Sequence, residues 1–149
     1  MRESSGFTLI ELLVTLAVVV ILATVALPGF QHMLADNRVR SGYNEVLVGL
    51  NVARSEAIKR RQAVTFEMAD AASWGYRVTV EDTSEPLRVR RAGDGMLTVD
   101  DEDFAVTFDA LGKATNCTSG CRLTLMRSGA DARVVGVSPL GRVGRGSSS

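Results

Sequence analysis

From Phe7 to Leu27 the chain is almost continuously apolar, interrupted only by Thr8, Glu11, Thr15 and Thr24. A helix over this run, rising about 1.5 Å per residue, is long enough to cross a hydrocarbon core of roughly 30 Å. Glu11 is its single ionisable residue and lies near its N-terminal end. A carboxylate on a spanning helix costs roughly 2.5–3.5 kcal/mol at mid-bilayer, so it requires a partner. Pro28 removes the hydrogen bond to the carbonyl four residues back, and with Gly29 beside it a kink or local loss of helix is predicted there. The helical period resumes at Phe30 and runs to Arg61. Apolar side chains recur three and four apart at Val39, Tyr43, Val46, Leu47, Leu50, Ala53, Ala57 and Ile58. Asp36/Arg40 and Glu56/Arg60 stand four apart in the favourable order, adding a few tenths of a kcal/mol each.

Beyond Arg60-Arg61-Gln62 the period shortens to that of strands. Ala63–Met68 and Gly75–Val80 are β-rich, with Asp70-Ala71-Ala72-Ser73 between them, and Leu87–Arg90 alternates strictly, giving one apolar and one cationic face. Phe104–Phe108 follows an acidic loop. Further strands are predicted near Lys113–Asn116, Arg122–Arg127, Arg133–Val137 and Arg142–Arg145, with Gly144–Ser149 as a frayed tail. Asp109-Ala110-Leu111-Gly112 and Ser138-Pro139-Leu140-Gly141 carry the residues a type I turn prefers. The pattern therefore reads as α+β. One long N-terminal helix, half membrane-spanning and half amphipathic, packs on an antiparallel β-sheet domain. The divisions fall at residues 1–6, 7–29 and 30–149, with the amphipathic helix over 30–61.

The 149 residues leave, after the anchor, enough chain for one small domain. Net charge is zero, which removes any chain-wide electrostatic argument for nucleic acid or a membrane surface. Its distribution is uneven. From Asp94 to Asp109 every charge is acidic (Asp94, Asp100, Asp101, Glu102, Asp103, Asp109), whereas from Ala110 onward Lys113, Arg122, Arg127, Arg133, Arg142 and Arg145 face only Asp131. Cys117 and Cys121 are the only cysteines. If the anchor exports the domain, the compartment is oxidising and they pair, closing a ring worth about 2 kcal/mol; the alternative is two unpaired small apolar residues.

Catalytic readings fail on the residues. His32 is the single histidine and sits beside the anchor, so neither a hydrolytic triad nor a zinc ligand set can be assembled. Gly112-Lys113 is no phosphate loop, because Thr107 stands where the first glycine belongs and Ala114 where Ser or Thr must hold the metal. The run Asp100–Asp103 lacks the spacing and glycine of a calcium loop. No catalytic residue, metal or cofactor is expected. A cleaved secretory signal is also disfavoured: Glu3 offsets Arg2, the apolar run is too long, and Glu11 interrupts it.

The order Gly6-Phe7-Thr8-Leu9-Ile10-Glu11 resembles the class III leader of type IV pilins and type II secretion pseudopilins. That resemblance implies that residues 1–6 are a leader, that a prepilin peptidase cuts after Gly6 and methylates Phe7, and that Glu11 meets the N-terminal amine of a neighbouring subunit. It also marks Pro28 and Gly29 as where such helices bend or lose helicity in the fibre. Leu50–Arg60, Val106–Lys113 and Ser138–Arg142 are similar to the successive signatures of the GspH/FimT family, and look closer to its FimT/FimU-like minor pilins than to the secretion pseudopilin GspH.

The implied partners are other minor and major pilins, the peptidase and the inner membrane, with the domain in the periplasm before assembly into a pilus or pseudopilus. Some members of the FimT branch bind DNA in natural transformation through a C-terminal Gly-Arg-x-Arg pattern. Gly141-Arg142-Val143-Gly144-Arg145 resembles it with the second arginine displaced by one position, which would turn the two guanidinium groups to different faces. Arg142 and Arg145, with Lys113 as neighbour, are accordingly the candidates for contact with double-stranded DNA. An ordinary charged β-edge is the alternative. A non-polymerising anchored domain remains the alternative from another class.

Overall fold

In the computed structural model one helix, α1 (Leu9–Arg60), carries both the anchor run and the amphipathic stripe. The structure describes residues 7–69, 74–81, 83, 85–91 and 97–146, without the side chains of residues 25, 26 and 28. Gly6, the reversal placed at Asp70–Ser73, Asp94 and the end of the tail lie outside them. The helix continues through Pro28 and Gly29, so the local loss of helix read from the sequence is absent in the isolated chain. One missing backbone donor leaves the hydrogen-bond ladder intact on either side, and helix propagation is cooperative enough to carry across it. At its C-terminus Arg61 adopts the left-handed conformation (φ 55°) and donates its N–H to the Ala57 carbonyl, while Lys59 and Arg60 place positive charge in the last turn.

Eight strands follow: β1 (Val64–Met68), β2 (Gly75–Val80), β3 (Arg88–Arg91), β4 (Thr98–Val99), β5 (Ala105–Phe108), β6 (Cys121–Met126), β7 (Arg133–Val137) and β8 (Val143–Arg145). They form two four-stranded sheets in the orders β3-β2-β1-β5 and β4-β6-β7-β8, every pair antiparallel. The C-terminal half of α1 packs against both. Val39, Val46, Leu50, Ala53 and Ala57 from the stripe are buried with Phe66, Tyr76, Val78, Phe108, Leu123 and Val135, each large aliphatic side chain contributing roughly 1.5–3 kcal/mol. Tyr43 and Leu47 are partly buried against this core and Ile58 is exposed.

Two buried glycines let the helix come this close. A β-carbon on Gly42 would run into Leu97, and one on Gly49 would lie 2.6 Å from the Tyr76 ring and 2.7 Å from that of Phe66. Those two rings stack on each other with centroids 4.9 Å apart.

The segment Lys113–Asn116 is not a strand; only Ala114 makes a bridge, to Phe108. The Asn116 side chain takes over the pairing. Its Oδ1 accepts from the Thr107 N–H at 2.9 Å and its Nδ2 donates to the Ala105 carbonyl at 2.8 Å. With the outer edge of β5 satisfied by a side chain, the backbone is free to turn into the cysteine loop. The strand expected at Arg142–Arg145 is β8, and the pairing runs on into the segment read as a frayed tail, the Gly146 N–H donating to the Val134 carbonyl. The apolar face of the Leu87–Arg90 alternation does not meet the core: Leu87 and Val89 are exposed, while Arg90 reaches back to Glu45 on α1.

Cys117 and Cys121 form a disulfide across a turn in which the Gly120 N–H donates to the Cys117 carbonyl. Replacing both cysteines by serine is expected to cost about 2 kcal/mol, read as a drop of roughly 10 °C in melting temperature. The overall fold, followed by far-ultraviolet circular dichroism, should persist.

Candidate functional site

The anchor run begins with a capped helix. Thr8 is the N-cap, its hydroxyl accepting from the Glu11 N–H at 3.3 Å. Glu11 thus occupies the third helical position, where a carboxylate faces the positive end of the helix dipole. Thr15 and Thr24 donate their hydroxyls back to the Leu12 and Ile21 carbonyls at 2.8 and 2.7 Å. Both threonines are therefore satisfied within their own helix. The Glu11 side chain is exposed and has no ion-pair partner among the described residues. The most apolar window of α1, of mean hydropathy 2.8, is covered by no other part of the described chain, and the helix is long and apolar enough to cross a membrane. Phe7, at the implied cleavage junction, is likewise exposed.

At the far end of α1 three separate stretches of sequence meet. The Arg54 Nε donates to the Gly112 carbonyl at 3.1 Å. Gly112 and Gly141 both have left-handed backbones, with φ 74° and 76°, and a β-carbon on Gly141 would collide with the Gly112 carbonyl. Asp109 Oδ1 accepts from the Leu111 and Lys113 N–H groups at 2.9 and 2.8 Å, closing the first turn. Gly141 N–H donates to the Ser138 carbonyl at 2.8 Å, closing the second, and the Ala114 N–H bonds to the Pro139 carbonyl at 3.1 Å, tying one turn to the other. Arg54 is thus a structural clasp between helix and turns. Nothing local in the sequence announces a bond spanning 58 positions.

The cationic C-terminal residues are distributed, not clustered. Register pairs Gly144 with Gly136 and Gly136 with Arg122, and pairs Arg145 with Val135. Arg145 therefore leaves β8 on the face of the buried Val135, at its rim, whereas Arg122 stands on the opposite face. Arg142 and Arg145 nevertheless border one open cleft of about 560 Å³, with Arg122 and the glycines Gly136 and Gly144. Lys113 does not line it; it sits on the neighbouring turn. Arg122, which the sequence reading did not single out for contact, does. Arg133 is engaged elsewhere, its Nη2 lying 3.6 Å from Asp36 Oδ1 on α1. Among the described residues no group of acidic, histidine or cysteine side chains is arranged to hold a metal.

Comparison with known proteins agrees with this geometry. The family described as type II transport protein GspH matches residues 43–141, and a prokaryotic N-terminal methylation motif matches residues 1–27. The chain is similar to a type IV major alpha-pilin of Moraxella bovis, 27% identical over 117 residues, covering 78% of this chain and 74% of that protein. It is also similar to a fimbrial protein of Pseudomonas aeruginosa, 34% identical over 65 residues, covering 44% of this chain and 42% of that protein. Among solved structures it resembles the type IV minor pilin FimU of Pseudomonas aeruginosa, with a TM-score of 0.63 and 24% identity over 74% of this chain and 90% of that one. At that identity the likeness establishes the fold.

Proposed function

Because the chain belongs to the GspH family, whose match covers most of its globular domain, we propose that it is a minor pilin of a type IV pilus that helps to initiate or cap assembly. The observation that carries this reading is the uncovered apolar half of α1 with Glu11 as its unpartnered polar group. Such a helix suits two hosts in turn, the inner membrane before assembly and a bundle of like helices afterwards. In this reading a prepilin peptidase cleaves after Gly6, Phe7 becomes the methylated N-terminus, and major and other minor pilins pack around the helix, with Pro28 and Gly29 giving it a place to yield. The GspH match favours one alternative, a pseudopilin of type II secretion. In-frame deletion separates the two: loss of twitching and surface pili supports the pilus, whereas loss of exoprotein release with pili retained overturns it. A phenotype in neither system would indicate an anchored domain that does not polymerise.

DNA uptake is the finer part of the proposal. The cleft bordered by Arg142 and Arg145 offers two or three phosphate contacts, with Lys113 beyond its rim. That number gives binding at micromolar levels or weaker, without sequence preference, and a salt slope of about −0.9 per phosphate neutralised. Titrating fluorescent duplex into the detergent-solubilised full chain should show affinity falling as salt rises, and Arg142→Gln/Arg145→Gln should weaken it on the order of tenfold at low salt. Equal binding by the double variant would leave these arginines as a charged β-edge.

A further inference from the structure

At the end of the second sheet nearer the anchor, two arginines share one face. Alternate residues of β7 point the same way, so Arg133 leaves the sheet on the side of the buried Val135 and Val137, which is the side that α1 covers. Across the β7–β8 pairing Arg145 stands opposite Val135, and therefore on that same side. Arg133 and Arg145 are thus diagonal neighbours, roughly 7–8 Å apart and within mutual reach of long side chains. Over them lies Tyr43 of α1, partly buried against the core. Tyr43, Arg133, Arg145 and Gly146 line one pocket of about 290 Å³. Its wall is bare at Gly146, where a β-carbon would lie 2.6 Å from a Val134 methyl.

The pocket holds more donors than acceptors. Arg133 Nε is buried with no hydrogen-bond partner among the described residues. Arg133 Nη2 faces Asp36 Oδ1 at 3.6 Å, but the other oxygen of Asp36 already accepts from Arg40 Nε at 2.7 Å. Neither the Arg145 side chain nor the Tyr43 hydroxyl has a partner among the described residues. Like charges at neighbouring positions on one face repel, and a buried N–H without an acceptor is costly. One small anion between them answers both. A carboxylate presents two oxygens in a plane and suits a single guanidinium fork. Three donors arriving from α1, β7 and β8 suit a tetrahedral group, which has an oxygen for each.

We propose that this pocket binds a tetrahedral oxyanion of the phosphate class, Arg133 and Arg145 supplying the charge and the Tyr43 hydroxyl a third hydrogen bond. That chemistry is shared by free phosphate and by a lipid headgroup. Tyr43 lies sixteen residues beyond Leu27, roughly 24 Å along the helix, whereas a headgroup layer is roughly 5–7 Å deep. The free ion is the source this spacing favours. Only the globular domain is needed for the site, and a probe without duplex keeps its failure distinguishable from failure of the DNA reading. Inorganic phosphate is titrated into the full chain in a neutral detergent, at constant ionic strength made up with chloride, and binding is followed by calorimetry. Saturable one-to-one binding, competed by sulfate, is expected. Arg145→Gln should weaken it on the order of tenfold and Tyr43→Phe about fivefold, both variants melting as the parent does when phosphate is absent. Arg133→Lys should lose binding as Arg133→Gln does, because an ammonium lacks the planar fork. Phosphatidylglycerol doped into the micelles should not displace the phosphate. Displacement by that lipid and not by phosphatidylcholine would overturn the free ion as the source and assign the pocket to a headgroup. No saturable binding, or binding by all four variants equal to that of the parent, overturns the site.

Discussion

Gly141→Ala is expected to lower the melting temperature of the full-length chain by about 15 °C, against about 5 °C for Gly129→Ala. Both glycines have left-handed backbones, φ 76° and 79°, so both substitutions incur the same conformational penalty of roughly 1–2 kcal/mol. They differ in what the new methyl group meets. At Gly129 nothing lies within 4 Å, whereas at Gly141 the β-carbon falls on the Gly112 carbonyl oxygen. That oxygen cannot retreat without breaking its 3.1 Å bond to Arg54, and a hydrogen bond to a charged donor is worth about 1.5–3 kcal/mol. The sum for Gly141 is roughly 3–4 kcal/mol, at about 4–8 °C per kcal/mol for a domain of this size. Arg54→Ala should recover part of the difference between the two variants, since the carbonyl is then free to move. If Gly141→Ala and Gly129→Ala melt together, the turns are not clasped as described.

The same clasp marks how far the sequence could be read. Periodicity located α1 because a run of apolar residues and a stripe are local signals, and β2 and β7 because their alternation is bounded by turn residues on both sides. Their arrangement was not local. β1 pairs with β5 across some forty intervening residues, Thr65 lying opposite Thr107, and β4, two residues long, has no period to detect. Asn116 could not be recognised as a substitute for a strand, because its side chain mimics backbone only once β5 is beside it. Gly42 and Gly49 did leave a trace. They stand seven apart on the buried stripe with Ala35, Ala53 and Ala57, and small residues at that spacing are what close approach of another layer requires.

At the anchor, legibility ran the other way. The sequence pointed to Glu11 as a charge needing a partner, and the structure adds a competing local setting, the third position of a helix capped by Thr8, where a side-chain carboxylate or amide can serve the first turn. Glu11→Gln separates the two. Glutamine serves a capping box as glutamate does, so if Glu11 acts within its own helix the variant should enter filaments like the parent. If it compensates a neighbour's N-terminal ammonium in an apolar bundle, glutamine should fail as alanine does, because removing one partner leaves the other charge buried at a cost of about 3–5 kcal/mol. We expect the second result, with Glu11→Gln and Glu11→Ala each reducing the amount recovered in sheared pili by a factor on the order of 100 or more. Melting of the globular domain should not change in either variant, since the buried core begins at Ala35. The effect also depends on processing, because the amine at Phe7 exists only after cleavage behind Gly6. Intact-mass measurement of membrane-extracted material should therefore show a chain beginning at methylated Phe7 in parent and variants alike. Filaments that incorporate both Glu11 variants at parental levels would show that no such pair forms. Incorporation of the glutamine variant alone would assign Glu11 to its own helix cap.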